Sequence, residues 1–417
     1  MGDSANDFMH EEIILHKSWG TLSTMSLERN SRMRSLSLPL FILILVYLTG
    51  CWNRVEINDL AIESMLGVDL ADRRQIRIIA QIVNPPLLTD SSPGDPRDRE
   101  TGQAYFVLTQ EGSNPSECSS KLQEKLSRQF IVAHRRVVII GDKLARSGIQ
   151  NVLDHLSRDP GTRLDTFILV ADHMEASRLL STPDYLEKMP SEAVREIEHS
   201  NTGLAIDMKD FLLMCATEGT APVAATIRAT RKGFELSGTA VFRDYKLIGY
   251  LNDEQTRALM WLRDEMKKGV VTIDSPGTNK KISVNILRSK TKLKPSIQNG
   301  HVHMDVYILT EGNISENNSN LNLFNPKNIE KIEQQTADQI RACIGQTIGF
   351  AQKQLQADIF KFGQIVYKKL PNEWETLRYR WGEEFPKTEV TLHIKVNIRQ
   401  IGMLGQGLEL KEEEIQK

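Results

Sequence analysis

Cysteine is scarce: the 417-residue chain has four, aromatic residues make up 6%, and 52 basic against 54 acidic side chains leave a formal charge of −2. So few cysteines cannot staple a chain of this length. Cys118, Cys215 and Cys343 each sit in apolar, helix-patterned surroundings, where a thiol serves as a small hydrophobe. No disulfide framework is expected. A near-neutral chain carries no electrostatic footprint for nucleic acid. The sequence also lacks a nucleophile elbow, a Walker-type phosphate loop, an HExxH pair and paired-cysteine metal spacing. No enzyme class is indicated. Nor is there a run of roughly 20 apolar residues, the length a helix needs to cross a bilayer.

What the chain does have is a shorter apolar stretch, Leu36–Leu48, preceded by Arg29, Arg32 and Arg34 and followed by Thr49-Gly50-Cys51. Basic flank, short apolar core and small residues together fit a secretory signal. Leu48-Thr49-Gly50-Cys51 fits the bacterial lipobox, which is cut before a cysteine whose thiol carries a diacylglyceryl group. We therefore expect residues 1–50 to be removed and Cys51 to be the lipidation site. Two acyl chains hold a protein at a membrane where one would be marginal. A signal of 50 residues is long, and Met25 and Met33 each precede one of ordinary length, so Met1, Met25 and Met33 all stand as starts. Removal deletes Lys17, Arg29, Arg32 and Arg34 along with Asp3, Asp7, Glu11, Glu12 and Glu28, moving the formal charge to −1.

The remaining length exceeds one ordinary domain. The pattern divides it into residues 51–232, a mixed α/β region of two subdomains, residues 233–405, a C-terminal α/β domain, and a charged tail, 406–417. In the first region, strands are expected at Ser64–Asp69, Ile76–Val83, Ala104–Thr109, Val137–Ile140 and Thr166–Ala171, with a polar loop at Thr89–Gln103. A helix opens at Ser113 or Asn114 with Pro115 in its first turn, and Asp142 is expected to cap another. Residues 172–232 read as mostly helical. Beyond them, Phe234–Phe242 and Lys246–Leu251 read as a hairpin about Arg243-Asp244-Tyr245, and Asp253–Lys268 as a helix. Strands follow at Val270–Ile273, Ile282–Arg288 and His301–Leu309.

The longest helix starts at Asn325-Pro326 and carries the stripe Ile340, Ile344, Ile348, Ala351, Leu355, Ile359, with Gly363 as a bend or stop. Thr388–Arg399 alternates strictly through Val390, Leu392, Ile394, Val396 and Ile398. The fold class is α+β or mixed α/β, multi-domain, with mixed sheets, flanking helices and one long helix packed on a C-terminal sheet.

Four constellations were weighed for chemistry. His301-x-His303 has alternate spacing that puts both rings on one strand face, as a metal pair requires; the polar face of a half-buried strand accounts for them equally well. His134-Arg135-Arg136 is a small anion site or a solvated lead-in to a strand. Asp172 and Asp358 are acids with no visible partner. Trp374, Leu377, Trp381 and Phe385 recur at helical spacing and read as core rather than as a ring-ligand site. The residues alone thus assign no catalytic, cofactor or metal site.

The mature start, Gly50-Cys51-Trp52-Asn53-Arg54-Val55-Glu56-Ile57-Asn58-Asp59-Leu60-Ala61, resembles that of the Ger(x)C family, the lipoprotein C subunits of spore nutrient-germinant receptors. Further blocks agree in order: Gln81–Pro85, His134–Gly141, Arg158-Asp159-Pro160, Gly238–Phe242 and Lys246–Gly249. The most distinctive are Gln356-Ala357-Asp358-Ile359-Phe360-Lys361-Phe362-Gly363, Pro371-Asn372-Glu373-Trp374 and Trp381-Gly382-Glu383-Glu384-Phe385. The resemblance covers nearly all of residues 50–402; the polar extension before Met25 departs from it. It implies a three-domain α/β protein without catalytic activity. It further implies a place on the extracytoplasmic face of the spore inner membrane beside integral-membrane A- and B-type subunits. The alternative is a solute-binding lipoprotein of an importer, which needs two matching α/β lobes that this pattern does not offer.

Overall fold

Two sheets account for every strand of the computed structural model, which describes residues 55–72, 75–88, 104–200, 202–275 and 280–402. The signal segment, Cys51, the 89–103 loop and the charged tail lie outside the described residues. From Asp59 onward the chain forms one compact unit.

The first sheet begins with β1 (Leu60–Leu70), whose interior positions are almost all buried, Glu63, Ser64 and Asp69 included, so its sequence shows no alternation. It pairs antiparallel with β2 (Ile76–Val83), and β2 with β3 (Tyr105–Gly112). Helix α1 (Pro115–Glu124) follows, capped as expected by the Asn114 side chain, which accepts the Glu117 N–H. The short β4 (Gln129–Ile131) and then β5 (Val137–Ile140) pair parallel with β1. Helices α2 (Asp142–Ser147) and α3 (Gln150–Arg158) lead to β6 (Phe167–Ala171), parallel to β5. Gly141 stands at the cap position of α2; Asp142 is the first helical residue and its carboxylate is engaged elsewhere.

Residues 172–232 contain α4 (Ala176–Leu180), α5 (Pro190–His199) and α6 (Met208–Ala216). They also contain β7 (Val223–Thr230), parallel to β6, where a largely helical stretch was expected. Its buried run Val-Ala-Ala-Thr-Ile holds two alanines that blur the β pattern, and pairing with β6 decides the conformation. β8 (Gly233–Arg243) and β9 (Lys246–Leu251) complete the sheet, which continues past residue 232 through the β7–β8 pairing. Asp244 and Tyr245 take φ of 48° and 63°, the left-handed pair that a two-residue hairpin turn requires.

Helix α7 (Asp253–Leu262) has a full capping box between Asn252 and Gln255. It stops short of Lys268 because Asp264 turns left-handed, at φ 61°, and its carboxylate accepts the Thr291 N–H at 2.7 Å.

The second sheet runs β10 (Gly269–Asp274), β11 (Lys281–Gln298), β12 (His301–Asn317) and β13 (Glu389–Gln400), with β13 parallel to β12. β11 and β12 are far longer than expected. Register shifts between Ser283 and Val284, Ile286 and Arg288, and Gly312 and Asn313 break the period of two that marks a strand in sequence. Helix α8 (Pro326–Phe350) lies along β13 and α7, its Ile332, Ile340, Ile344 and Ile348 sharing one core with Val302, Met304, Val306 and Ile308. A wider turn at Ala351–Leu355 and left-handed Gln356 end it, so Ile359, though buried, lies beyond the helix. Three short helices follow: α9 (Phe362–Lys369), α10 (Pro371–Leu377) and α11 (Trp381–Glu384).

Candidate functional site

Asp358, read from sequence as a lone acid, is the most heavily coordinated side chain of the junction between the two sheets. One carboxylate oxygen accepts the N–H groups of Phe360 (3.0 Å) and Phe362 (3.2 Å). The other accepts Gly363 N–H (2.7 Å) and Trp381 Nε1–H (3.1 Å). The same residue's carbonyl accepts Ala221 N–H at 2.7 Å, just ahead of β7. Burial pushes the carboxyl up to about 6, against four donors that pull the other way.

Local sequence makes this possible. Gln356 (φ 48°) and Lys361 (φ 64°) reverse the chain on either side of the acid, bringing the first N–H groups of α9 back onto it. Gly363, expected to bend or end the long helix, lies beyond it in the first turn of α9, where an added Cβ would lie 2.5 Å from the Gly219 carbonyl oxygen. Trp374 and Trp381 pack edge to face with centroids 5.4 Å apart, and Phe385 joins Trp381, Phe360 and Phe362. The aromatic stripe is therefore core, as its spacing suggested. Arg243 donates to the carbonyls of Leu355 and Gln356, tying the β8–β9 hairpin to the same junction. With every lone pair of Asp358 aimed at a fixed donor, the arrangement holds parts together and leaves no free base.

The other constellations disperse. His301 shares its Nδ1 with Glu384 (3.2 Å), and that buried carboxylate also takes the Val302 N–H (2.8 Å), pinning β12 to α11. His303 meets the Thr391 hydroxyl at 3.2 Å, with the Glu389 carboxylate 3.8 Å away. The pair thus serves two different contacts, and among the described residues no group of three or more His, Cys, Asp or Glu is placed to hold a metal. His134-Arg135-Arg136 does not converge on an anion. Arg135 turns inward to a fully buried ion pair with Glu63 (2.5 Å), Arg136 faces Glu192 (3.6 Å), and His134 is exposed. Asp172 lies 3.7 Å from the His173 ring. The three described cysteines are free, and burial pushes the Cys215 thiol up to about 12, which makes it unreactive at neutral pH.

The Asp358 network was the feature missed from sequence. Its donors are mainly main-chain N–H groups two, four and five residues on, around a helix whose cap residue is Lys361, so no side-chain pattern announced it.

Known proteins that resemble the chain do so over most of its length. Spore germination protein KC of Bacillus subtilis (strain 168) is 27% identical over 391 residues, covering 87% of this chain and 95% of that protein. A second relative from that strain, YfkR, is 30% identical over 377 residues, covering 88% and 96%. The crystal structure of the GerBC protein superimposes with a TM-score of 0.55 at 18% identity, covering 80% of this chain and 96% of GerBC, and so shares its fold. The profile for the spore germination protein N-terminal domain matches residues 53–229, and that for the spore germination B3/GerAC-like C-terminal region matches 237–402. Matched in order across both of its regions, the chain belongs to the B3/GerAC family of spore germination proteins.

Proposed function

We propose that this protein is the lipid-anchored C subunit of a spore germinant receptor and acts by binding its membrane partners, without chemistry of its own. The observation that carries the reading is the end-to-end likeness to spore germination proteins, together with the Leu48-Thr49-Gly50-Cys51 run ahead of the matched region. None of the described helices is long and apolar enough to cross a membrane, which leaves the acyl group on Cys51 to hold the folded part at the extracytoplasmic face. A tethered domain needs little intrinsic affinity for A- and B-type integral-membrane subunits, because confinement raises their effective concentration. The division into residues 51–232 and 233–405 belongs to the same proposal. The 89–103 loop and the polar face of His301–Leu309 are its candidate contacts.

The importer alternative needs two matching lobes, whereas the two sheets have nine and four strands in unlike orders. Cys51→Ala is expected to release a folded protein from membranes when its partners are absent, and to weaken germination in the intact spore. Continued membrane retention of that variant refutes the anchor. Normal germination with lost solute uptake, on deleting the gene, refutes the receptor role.

A further inference from the structure

The chain segments leaving two adjacent parallel strands go to opposite faces of the first sheet. After β5, Gly141 leads into α2, whose Leu144 and Ala145 share a core with Val138 and Ile140. After β6, residues 172–175 lead into α4, whose Ala176, Leu179 and Leu180 pack with Val137, Ile139 and Leu169. Connections that part in this way open a crevice beyond the carboxyl ends of the strands, the place where open α/β sheets receive ligands. Here it is a cavity of 590 Å³ lined by Asp142, Lys143, His173, Glu175, Ser177 and Arg178, among others. That volume suits a small organic molecule.

The charges around it are not all spent. Asp142 accepts the Tyr250 hydroxyl at 2.5 Å and Arg146 at 3.1 Å. Glu175 faces Arg77 at 3.4 Å and accepts the Ser177 hydroxyl at 3.3 Å. Asp69, buried behind Gly141, accepts the N–H groups of Ala176 and Ser177 at 2.7 and 2.9 Å, so the start of α4 is already occupied. Asp172 has the His173 ring 3.7 Å away. Lys143 and Arg178 have no acidic partner among the described residues. Between them His173 is held left-handed, at φ 51°, with its ring 4.6 Å from that of Tyr250. A non-glycine residue in that region is held there by its surroundings, and such positions gather at ligand clamps.

We propose that this crevice binds a small organic anion, its carboxylate or phosphate oxygens taken by Lys143 and Arg178 and steadied by the His173 imidazole. Asp142 and Glu175, each with a cation beside it in Arg146 and Arg77, repel such a ligand little; Asp172, beside the His173 ring, offsets part of the attraction of the two unpaired cations. The site goes beyond the receptor-subunit reading and stands without it.

The test is calorimetric titration of the full chain in detergent with citrate and, separately, inorganic phosphate, in low and in 0.2 M salt. A carboxylate ligand is read by the first probe and a phosphate ligand by the second. Saturable one-site binding is expected for at least one, weakened about a hundredfold or more in Lys143→Gln/Arg178→Gln, since each of the two charged hydrogen bonds contributes about tenfold or more. Both side chains are exposed and unpaired, so this variant should keep the unliganded melting temperature. His173→Gly, which accepts the same φ, should fold normally and also bind more weakly. No saturable binding of either probe overturns the proposal. So does equal binding by the double variant, which would mean attraction to net charge elsewhere.

Discussion

Replacing Asp358 with asparagine tests the junction directly. Four donors converge on two carboxylate oxygens, and an amide offers one oxygen and one NH2. Whichever way the amide turns, two buried donors are left facing another donor. Each costs about 1–3 kcal/mol. Asparagine also removes a buried charge, which offsets part of that loss, so the single variant is a poor gauge. The diagnostic quantity is its coupling to Trp381→Phe. Phenylalanine keeps most of the ring packing but deletes the Nε1–H that Asp358 accepts at 3.1 Å. In the wild type this leaves an acceptor short of a donor; in Asp358→Asn, with the amide NH2 turned toward Gly363 and Trp381, it removes an orphan. The double variant should therefore lose less stability than the two singles added together, by about 1–2 kcal/mol. Urea denaturation of the four proteins at pH 8, above the value to which burial lifts the carboxyl, measures it with the wild-type group ionised. Simple additivity within 0.3–0.5 kcal/mol, the usual result for uncoupled sites, refutes the network.

Arg135→Met should destabilise the protein by about 3–5 kcal/mol by leaving Glu63 charged and unpaired in the first core, while Glu63→Gln/Arg135→Met recovers much of the loss; thermal melts compare them. Glu198 on α5 is buried with both carboxylate oxygens unpartnered, and burial pushes it up to about 8. Because its folded value lies above its unfolded one, its contribution is complete below about 4.5 and is lost as pH rises through 8. Wild type should therefore lose on the order of 4 kcal/mol relative to Glu198→Gln between pH 4.5 and pH 8.5, read by denaturant titration at each pH. Parallel curves refute the assignment. In Cys51→Ala, fractionation of cells lacking the partner subunits should find the protein in the soluble fraction, as argued above.

Elements whose local pattern agrees with their surroundings were legible. β2 falls on Ile76–Val83 as read, α1 opens at its Asn-Pro signal, and β13 covers its alternating run. What escaped depended on distant partners. β7 is a strand because β6 and β8 pair with it, not because Val-Ala-Ala-Thr-Ile favours one. The lysine-rich second half of β11 is held by pairing with the alternating first half of β12, and the second half of β12 by the bulged first half of β11; neither carries a period of its own. The Glu63–Arg135 pair was invisible for the same reason, and Asp358 because most of its donors are main-chain groups. Their partners lie in backbone N–H groups or some 70 residues away, and a sequence names only side chains in order.

The parallel pairing of β13 with β12 imposes an order on how the protein comes into being. A parallel neighbour can be added only after a crossover, and here the crossover is the whole of residues 318–388, including α8 and the Asp358 turn. Until residue 400 has been made, β12 presents seventeen residues of unpaired edge, and α8 lacks β13 beside it. Long-range closure of this kind is slow and exposes strand edges to other chains. Truncations within α8 to α11 should therefore aggregate during synthesis rather than leave a shortened but soluble subunit. The acyl anchor proposed for Cys51, by holding successive copies at one surface, would sharpen that hazard by crowding their open edges together.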